Sequence, residues 1–124
     1  MKIETQQLLD RTFNFGVSCL KFISLLPQNS EYNIIKNQLV KSSTSIGANY
    51  EEAQAAESRK DFGHKIGIAS KEARESHYWL RIIQSISDKN TTDSGLEILL
   101  LEALELKKIF VSIKLSTQNN IPKN

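Results

Sequence analysis

Val40 to Ile83 reads VKSSTSIGANYEEAQAAESRKDFGHKIGIASKEARESHYWLRII, and this stretch decides the fold of the chain. Apolar and small residues recur along it, and just before it, at alternating intervals of three and four. In the first half they are Ile35, Leu39, Ser42, Ile46, Asn49, Ala53 and Ala56, and in the second half Phe62, Ile66, Ala69, Ala73, Ser76, Leu80 and Ile83. Because this spacing places them on one helix face, it predicts two helices that pack lengthwise against other helices.

The residues between these two helices carry a start signal. Ser58 stands three residues before Asp61, so its hydroxyl can accept a hydrogen bond from the Asp61 backbone amide. The Asp61 carboxylate then lies at the positive end of the new helix. We therefore expect one helix to end near Ala56 and the next to begin after Ser58.

Three glycines interrupt the two helical patterns, namely Gly47, Gly63 and Gly67. Glycine inside a helix costs about 1 kcal/mol relative to alanine, so each position needs a compensating reason. Close approach of two helix backbones is the simplest one. The pattern therefore predicts an αα-hairpin whose two helices pack tightly at the centre.

The segment TSIGANYEEAQAAESRKDFGHKIGIASKEARESHYWL resembles the signature of the bacterial four-helix-bundle family of 23S rRNA intervening-sequence proteins. It is similar to the variant with a KEARE-x-x-YWL run in the third helix. The resemblance covers Val40 to Leu80, and the flanking helices agree with it in length and placement. It implies an up-and-down four-helix protomer that assembles as a homopentamer. It implies no assigned biochemical activity.

The length and composition indicate one globular domain. The chain has 124 residues, of which 40% are hydrophobic and 24% are charged, and its net charge is only +2. Such a chain can bury a single core and is not a disordered polyelectrolyte. Its weakly basic balance favours anionic partners only slightly.

The distribution of apolar residues and cysteine indicates a cytoplasmic protein. The start MKIETQQLLDR lacks the apolar core of a signal peptide. The longest apolar run, 98–101, lies between two glutamates, so we expect no membrane span. A single cysteine, Cys19, can form neither an internal disulfide nor a cysteine-based zinc site.

Periodicity and turn residues extend the helical reading to the whole chain. The predicted helices span about 4–26, 30–56, 59–87 and 93–116. The predicted N-terminal caps are Asn29 or Ser30 for the second helix, Ser58 for the third and Thr92 or Asp93 for the fourth. Short connections between long helices predict an all-α, antiparallel up-and-down four-helix bundle over residues 1–116. Residues 117–124 lack periodicity, and we expect them to form a flexible tail.

The first and last helices are strongly apolar. The last carries Leu96, Leu99, Ala103, Leu106, Phe110 and Ile113 at three-four spacing. The first carries two apolar stripes, one of Leu9, Phe13, Gly16, Leu20 and Ile23, the other of Leu8, Phe15, Cys19, Phe22 and Leu26. Two interpretations stay open: the first helix is simply well buried, or its second stripe faces another subunit.

Signals for catalysis, metal binding and cofactor binding are weak. Neither a nucleophile motif nor a glycine-rich phosphate loop is present. Asp61 and His64 are one helical turn apart, but the Glu-x-x-His pairs of di-metal bundles do not occur. We therefore predict no enzymatic activity, no metal, no cofactor and no small-molecule substrate.

Polar residues within or beside the helical seams form the first candidate site. They are Asn49, Glu52, Lys65, Glu72 and Glu75. A buried amide or carboxylate needs hydrogen-bonding partners, and these residues could supply them to each other. We favour a structural network that sets the helix register over a ligand site. Replacing Asn49 or Glu52 by alanine is then expected to destabilise the assembly.

Basic residues form the second candidate site, a contact surface for RNA, DNA or a protein partner. They are Lys41, Arg59, Lys60, Arg74 and Arg81, accompanied by Tyr78. Arg74, Tyr78 and Arg81 share one helix face, where guanidinium and phenol groups could meet phosphate and base. Interleaved glutamates agree equally well with an ordinary solvated surface.

Two classes of function therefore follow from the sequence. The first is a non-enzymatic homo-oligomer, a pentamer by the resemblance, which acts as a structural or adaptor module. The second is an accessory protein that binds RNA or DNA weakly through a basic face repeated around a ring. Salt-dependent binding of nucleic acid would separate the two classes.

Overall fold

The computed structural model describes residues 1–88 and 95–119, and these residues form four helices and no strand. The helices are α1 (Ile3–Ile23), α2 (Ser30–Gln54), α3 (Arg59–Ile86) and α4 (Leu96–Asn119). Each helix packs against its neighbour in sequence, and α1 also touches α4. Hydrogen bonds join the start of one helix to the end of its neighbour, which shows that neighbouring helices run antiparallel. The predicted all-α four-helix bundle is confirmed.

Two of the predicted helix starts are confirmed by their caps. The Asn29 side chain accepts a hydrogen bond from the backbone amide of Tyr32 at 2.9 Å. The Ser58 hydroxyl accepts one from the backbone amide of Asp61 at 3.0 Å. Each bond satisfies an amide that has no partner in the first helical turn.

The helix ends differ from the prediction by a few residues. Helix α1 ends at Ile23 rather than near residue 26, because the amide of Leu25 turns back to the carbonyl of Phe22 ahead of Pro27. Helix α4 continues to Asn119 instead of ending near residue 116. The predicted caps at positions 92 and 93, and the tail beyond 119, lie outside the described residues.

The two apolar stripes of α1 differ in how deeply they are buried. The stripe of Leu8, Phe15, Cys19, Phe22 and Leu26 is buried within the chain's own bundle. The interpretation that this stripe faces another subunit is therefore wrong. The other stripe contributes the exposed side chains, since Phe13 is 66% and Leu20 is 42% exposed.

The three glycines lie where two helices approach each other closely, but the approaching helices are α1 and α4 and not the predicted pair α2 and α3. A Cβ atom on Gly47 would lie 3.2 Å from Thr12 Oγ1 of α1, and one on Gly63 would lie 3.3 Å from Thr117 Oγ1 of α4. The ammonium of Lys114 also donates to the Gly63 carbonyl at 2.7 Å and its stem covers Gly67. The expectation that glycines bring α2 and α3 together is wrong, because each glycine faces away from that hairpin.

The centre of the α2–α3 hairpin contains alanines and a pair of serines instead. Ala53, Ala69 and Ala73 are buried there, and the Ser76 hydroxyl donates to the Ser42 hydroxyl at 2.9 Å. Both hydroxyl groups are almost fully buried. Small side chains on both helices thus allow the close packing that the glycines were predicted to provide.

Candidate functional sites

Among the five residues of the predicted polar network, one pair makes a contact between helices. Lys65 Nζ donates to Glu52 Oε2 at 3.0 Å and joins α3 to α2. The Glu52 side chain is 62% exposed and that of Lys65 is 30% exposed, so the pair lies at the surface of the chain. An exposed ion pair of this kind contributes at most about 1 kcal/mol.

The other three members bond within their own helices or carry unfavourable charge. Asn49 donates to the Ser45 carbonyl at 2.8 Å, one turn earlier in α2. Glu75 accepts a hydrogen bond from the Trp79 indole at 3.2 Å. Burial, and next the charge of Glu75, raise the pKa of Glu72. Of the predicted network, the single chain contains the Glu52–Lys65 contact, while Asn49 and Glu75 bond within their own helices.

The buried polar contact that joins α2 to α3 is instead the hydrogen bond between Ser42 and Ser76. Sequence reasoning treated both serines only as small seam residues. The signal was present, because a serine interrupts each seam and two opposed hydroxyls can satisfy each other. This contact fixes the relative position of the two helices along their axes.

The predicted basic residues divide into separate groups. Arg74, Tyr78 and Arg81 lie exposed on one face of α3, as predicted from their spacing. The Tyr78 ring also packs edge-to-face on Trp79, with 5.1 Å between ring centroids. Lys41 lies exposed on α2, while Arg59 and Lys60 lie in the first turn of α3. The six residues do not form one surface, because Arg59 and Lys60 are about 20 Å along the helix from Arg74.

Helix α4 adds two lysines that the sequence analysis did not assign to this surface. A groove between α3 and α4 is lined by Arg74, Lys107, Lys108, Val111, Ser112, Leu115 and Ser116. We call these seven residues the basic groove. The signal in the sequence is the adjacent pair Lys107 and Lys108, but the spacing within α4 alone does not show which neighbouring helix the pair lies against.

His77 reports the positive field beside the basic groove. Burial lowers the pKa of its imidazole, and the charges of Arg81 and Lys107 lower it further. The same two cations therefore approach His77 from α3 and from α4. A positive field of this kind attracts anions and disfavours an additional proton.

A second exposed feature is apolar and lies on α1 and α4. Phe13 and Leu20 of α1 border a groove whose opposite wall is formed by Thr44, Gly47 and Ala48 of α2. On α4, Ile98 is 71% and Leu101 is 66% exposed, beside a groove shared with α1. We call Phe13, Leu20, Ile98 and Leu101 the exposed apolar set.

A charged pair connects the same two helices. Arg11 Nε and Nη2 each donate to one carboxylate oxygen of Glu102 at 2.7 Å, a two-bond arrangement between planar groups. This hydrogen bonding, opposed in part by burial, raises the pKa of Arg11. Helix α1 packs less extensively on α4 than on α2, and this pair adds a two-bond link between α1 and α4.

The described residues offer little reactive chemistry. Burial raises the pKa of the Cys19 thiol to about 12, which keeps it protonated and unreactive at neutral pH. Within residues 1–88 and 95–119, no three histidine, cysteine, aspartate or glutamate side chains converge as in a metal site. None of the helices in these ranges has the apolar length that a bilayer crossing requires.

Comparison with known proteins identifies relatives of this bundle. The family model described as 23S rRNA-intervening sequence protein matches residues 4–112. A crystal structure of a protein of unknown function from the S23 ribosomal protein family of Bacteroides thetaiotaomicron superimposes with a TM-score of 0.76. It is 30% identical in sequence, and the match covers 90% of this chain and 98% of that one. A comparison with curated proteins finds no match.

Proposed function

This chain belongs to the 23S rRNA-intervening sequence protein family, and we propose that it is a cytoplasmic, non-enzymatic homo-oligomer that serves as a structural or adaptor module. The observation that carries this proposal is the exposed apolar set on α1 and α4. Five copies is the number that the family resemblance implies. The self-contact covers the exposed apolar set and leaves the outer faces of α2 and α3 free for a partner.

Helix α4 supplies the strongest support for self-association. It buries Leu96, Leu106 and Phe110 in its own bundle and also exposes Ile98 and Leu101. A helix that is apolar on most of its circumference is stable in water only when it is covered on most sides. In the single chain one side of α4 lacks that cover, and another copy of the chain supplies it in this proposal.

The size of the particle tests this proposal. We expect light scattering to give a mass near five times the 14.0 kDa of one chain. Replacing Phe13 by aspartate places a charge in the contact and shifts the mass towards 14.0 kDa. Circular dichroism of the variant stays helical, because Phe13 is 66% exposed in the single chain.

A matched control uses an apolar residue of equal exposure outside the exposed apolar set. Ile34 of α2 is 63% exposed, and Ile34→Asp is expected to keep the wild-type mass. A wild-type particle of 14.0 kDa at micromolar concentration contradicts self-association. Dissociation by Ile34→Asp and not by Phe13→Asp contradicts only the assignment of the contact.

A second candidate function is weak, sequence-indifferent binding of RNA or DNA. The specific observation in its favour is that Arg74, Tyr78 and Arg81 lie exposed on one face of α3. Such a face can contact phosphates through guanidinium groups, but it lacks the base-reading set of a recognition helix. A ring that repeats the face around its axis would raise the affinity by multivalency.

Charge reversal on this face tests the second candidate. The double variant Arg74→Glu and Arg81→Glu changes the charge of each subunit by −4, and we expect it to abolish binding of labelled RNA and DNA at low salt. Binding by the wild type should also fall as salt rises, because phosphate contacts release counterions. Absence of wild-type binding at low salt, or equal binding by the double variant, contradicts this function.

A further inference from the structure

We infer that the basic groove between α3 and α4 binds the phosphodiester backbone of a single-stranded nucleic acid, with Arg74, Lys107 and Lys108 as its phosphate contacts. The inference rests on the second candidate function and deepens it, because it moves the contact from scattered residues of α2 and α3 to one defined groove. The α4 lysines are the new element of the site.

Among the described residues, no salt bridge occupies these three cations. Arg11 and Lys65 are paired with glutamates, and their contacts are 2.7 and 3.0 Å long. In the described ranges, by contrast, no carboxylate lies within ion-pair distance of Arg74, Lys107 or Lys108. Their charges are therefore available to an external anion.

Acidic side chains of α3 and α4 lie on other faces than the one that borders the basic groove. On α3, Lys65 faces α2, and a residue nine positions further, Arg74, lies about 180° around the helix from it. Glu72 lies on the flank of Lys65, about 20° away by the same geometry. On α4, the charge of Glu105 acts on Arg11 of α1. Lys108 also borders the α1–α4 groove that contains Glu105, but none of the seven residues of the basic groove is acidic, so the flank between α3 and α4 is positive.

The basic groove also contains hydroxyl groups and apolar side chains. Ser112 and Ser116 can donate to phosphate oxygens, and Val111 and Leu115 offer an apolar surface for a sugar. Tyr78 lies one helical turn from Arg74 on the exposed face of α3, within reach of a base that leaves the groove. The combination of cations, hydroxyls and an exposed ring favours a nucleic acid over an acidic peptide.

The width of the groove favours one strand. Neighbouring helices in a bundle lie about 8–10 Å apart, so the groove between α3 and α4 accommodates a single backbone. The two backbones of a duplex are separated by about 12 Å across its major groove, so the basic groove can hold only one of them. A single strand can place its one backbone in the groove and leave its bases outside.

The test is a titration of a short labelled oligouridylate with the full chain. We expect Lys107→Glu with Lys108→Glu to weaken binding at low salt at least tenfold, because each substitution replaces a phosphate contact by a repulsion. The matched control is Lys41→Glu with Lys60→Glu, which changes the net charge equally outside the groove and should weaken binding less than threefold. Equal losses in both double variants overturn the groove assignment.

Lys107 is partly buried, so Lys107→Glu could weaken binding by disturbing the fold. A second double variant controls for this effect. Arg74→Gln with Lys108→Gln removes two exposed charges and introduces none. It should keep the helical spectrum and the melting temperature of the wild type while binding several times more weakly. Wild-type affinity in this folded variant overturns the inference.

His77 provides a readout that is independent of affinity. A phosphate bound near Arg81 and Lys107 offsets their charge, so the pKa of His77 should rise when oligouridylate binds. Proton NMR of the imidazole across a pH titration measures the change. An unchanged pKa at saturating oligouridylate places the ligand elsewhere and overturns the inference.

The remaining outcomes separate the inference from the function on which it rests. If the wild type binds and only the Lys41 and Lys60 variant loses binding, the groove is wrong and nucleic-acid binding stands. If the wild type binds polyglutamate as tightly as oligouridylate, the groove takes acidic peptides instead and the inference fails. If the wild type binds neither polymer at low salt, both the inference and the second candidate function fail.

Discussion

Replacing Phe110 by alanine is expected to lower the free energy of unfolding by about 3–5 kcal/mol. Phe110 is fully buried on α4, and its ring packs edge-to-face on Tyr50 of α2, with 5.4 Å between centroids. The substitution removes the ring from the centre of the bundle and leaves a cavity between helices that are not adjacent in sequence. This loss is a large part of the stability of a small domain, since such domains are stable by only about 5–15 kcal/mol.

Urea denaturation followed by circular dichroism measures this loss. Val111 is the matched control, because it follows Phe110 in the same helix and is 36% exposed. We expect Val111→Ala to cost less than about 1 kcal/mol, since alanine also has the better helix propensity. Similar losses in both variants would mean that Phe110 is not a central core residue.

Replacing Ser76 by aspartate is the second change with a large expected effect. Ser76 lies fully buried against Ser42, and no cation from the described part of the chain shares this contact. An isolated carboxylate in such a place costs several kcal/mol, about 3–5 by analogy with a broken buried ion pair. We therefore expect Ser76→Asp to lower the free energy of unfolding by about that amount at neutral pH.

The pH dependence of this variant has a definite sign. Burial raises the pKa of a carboxyl group in the folded state above its value of about 3.9 in the unfolded state. The carboxyl group then loses its proton first in the unfolded state as the pH rises. The destabilisation that it causes is therefore smallest below a pH of about 3.9 and grows as the pH rises through the pKa of the folded state. Melting temperatures across the pH range measure the effect. The exposed Ser85→Asp variant of the same helix should show no such dependence, and equal behaviour of the two variants would contradict the burial of Ser76.

The four helices and two of their caps could be predicted because they depend on local interactions. The three-four spacing of 35–56 and 62–83 requires only that one helix face be apolar. The caps at Asn29 and Ser58 involve residues three positions apart, so chain folding brings them together without help from other helices. The shared face of Arg74, Tyr78 and Arg81 follows from the same helical geometry.

The candidate sites could be predicted only in part, because they combine residues from different helices. Lys107 and Lys108 join Arg74 only through the way α4 lies on α3. The predicted network required its five polar side chains to reach one another between α2 and α3. Their separation depends on how each helix is rotated about its axis, and the spacing in the sequence does not determine this rotation.

The sequence by itself determined that this protein is an all-α four-helix bundle with short connections, since periodicity and capping are local properties. The tertiary structure decided which surfaces meet. Either stripe of α1 could have faced inwards, and the close approach of Thr12 to Gly47 selects the stripe of Phe15 and Phe22 for the core. The same rotation leaves Phe13 exposed, because a helix that packs against two neighbours can bury only part of its circumference.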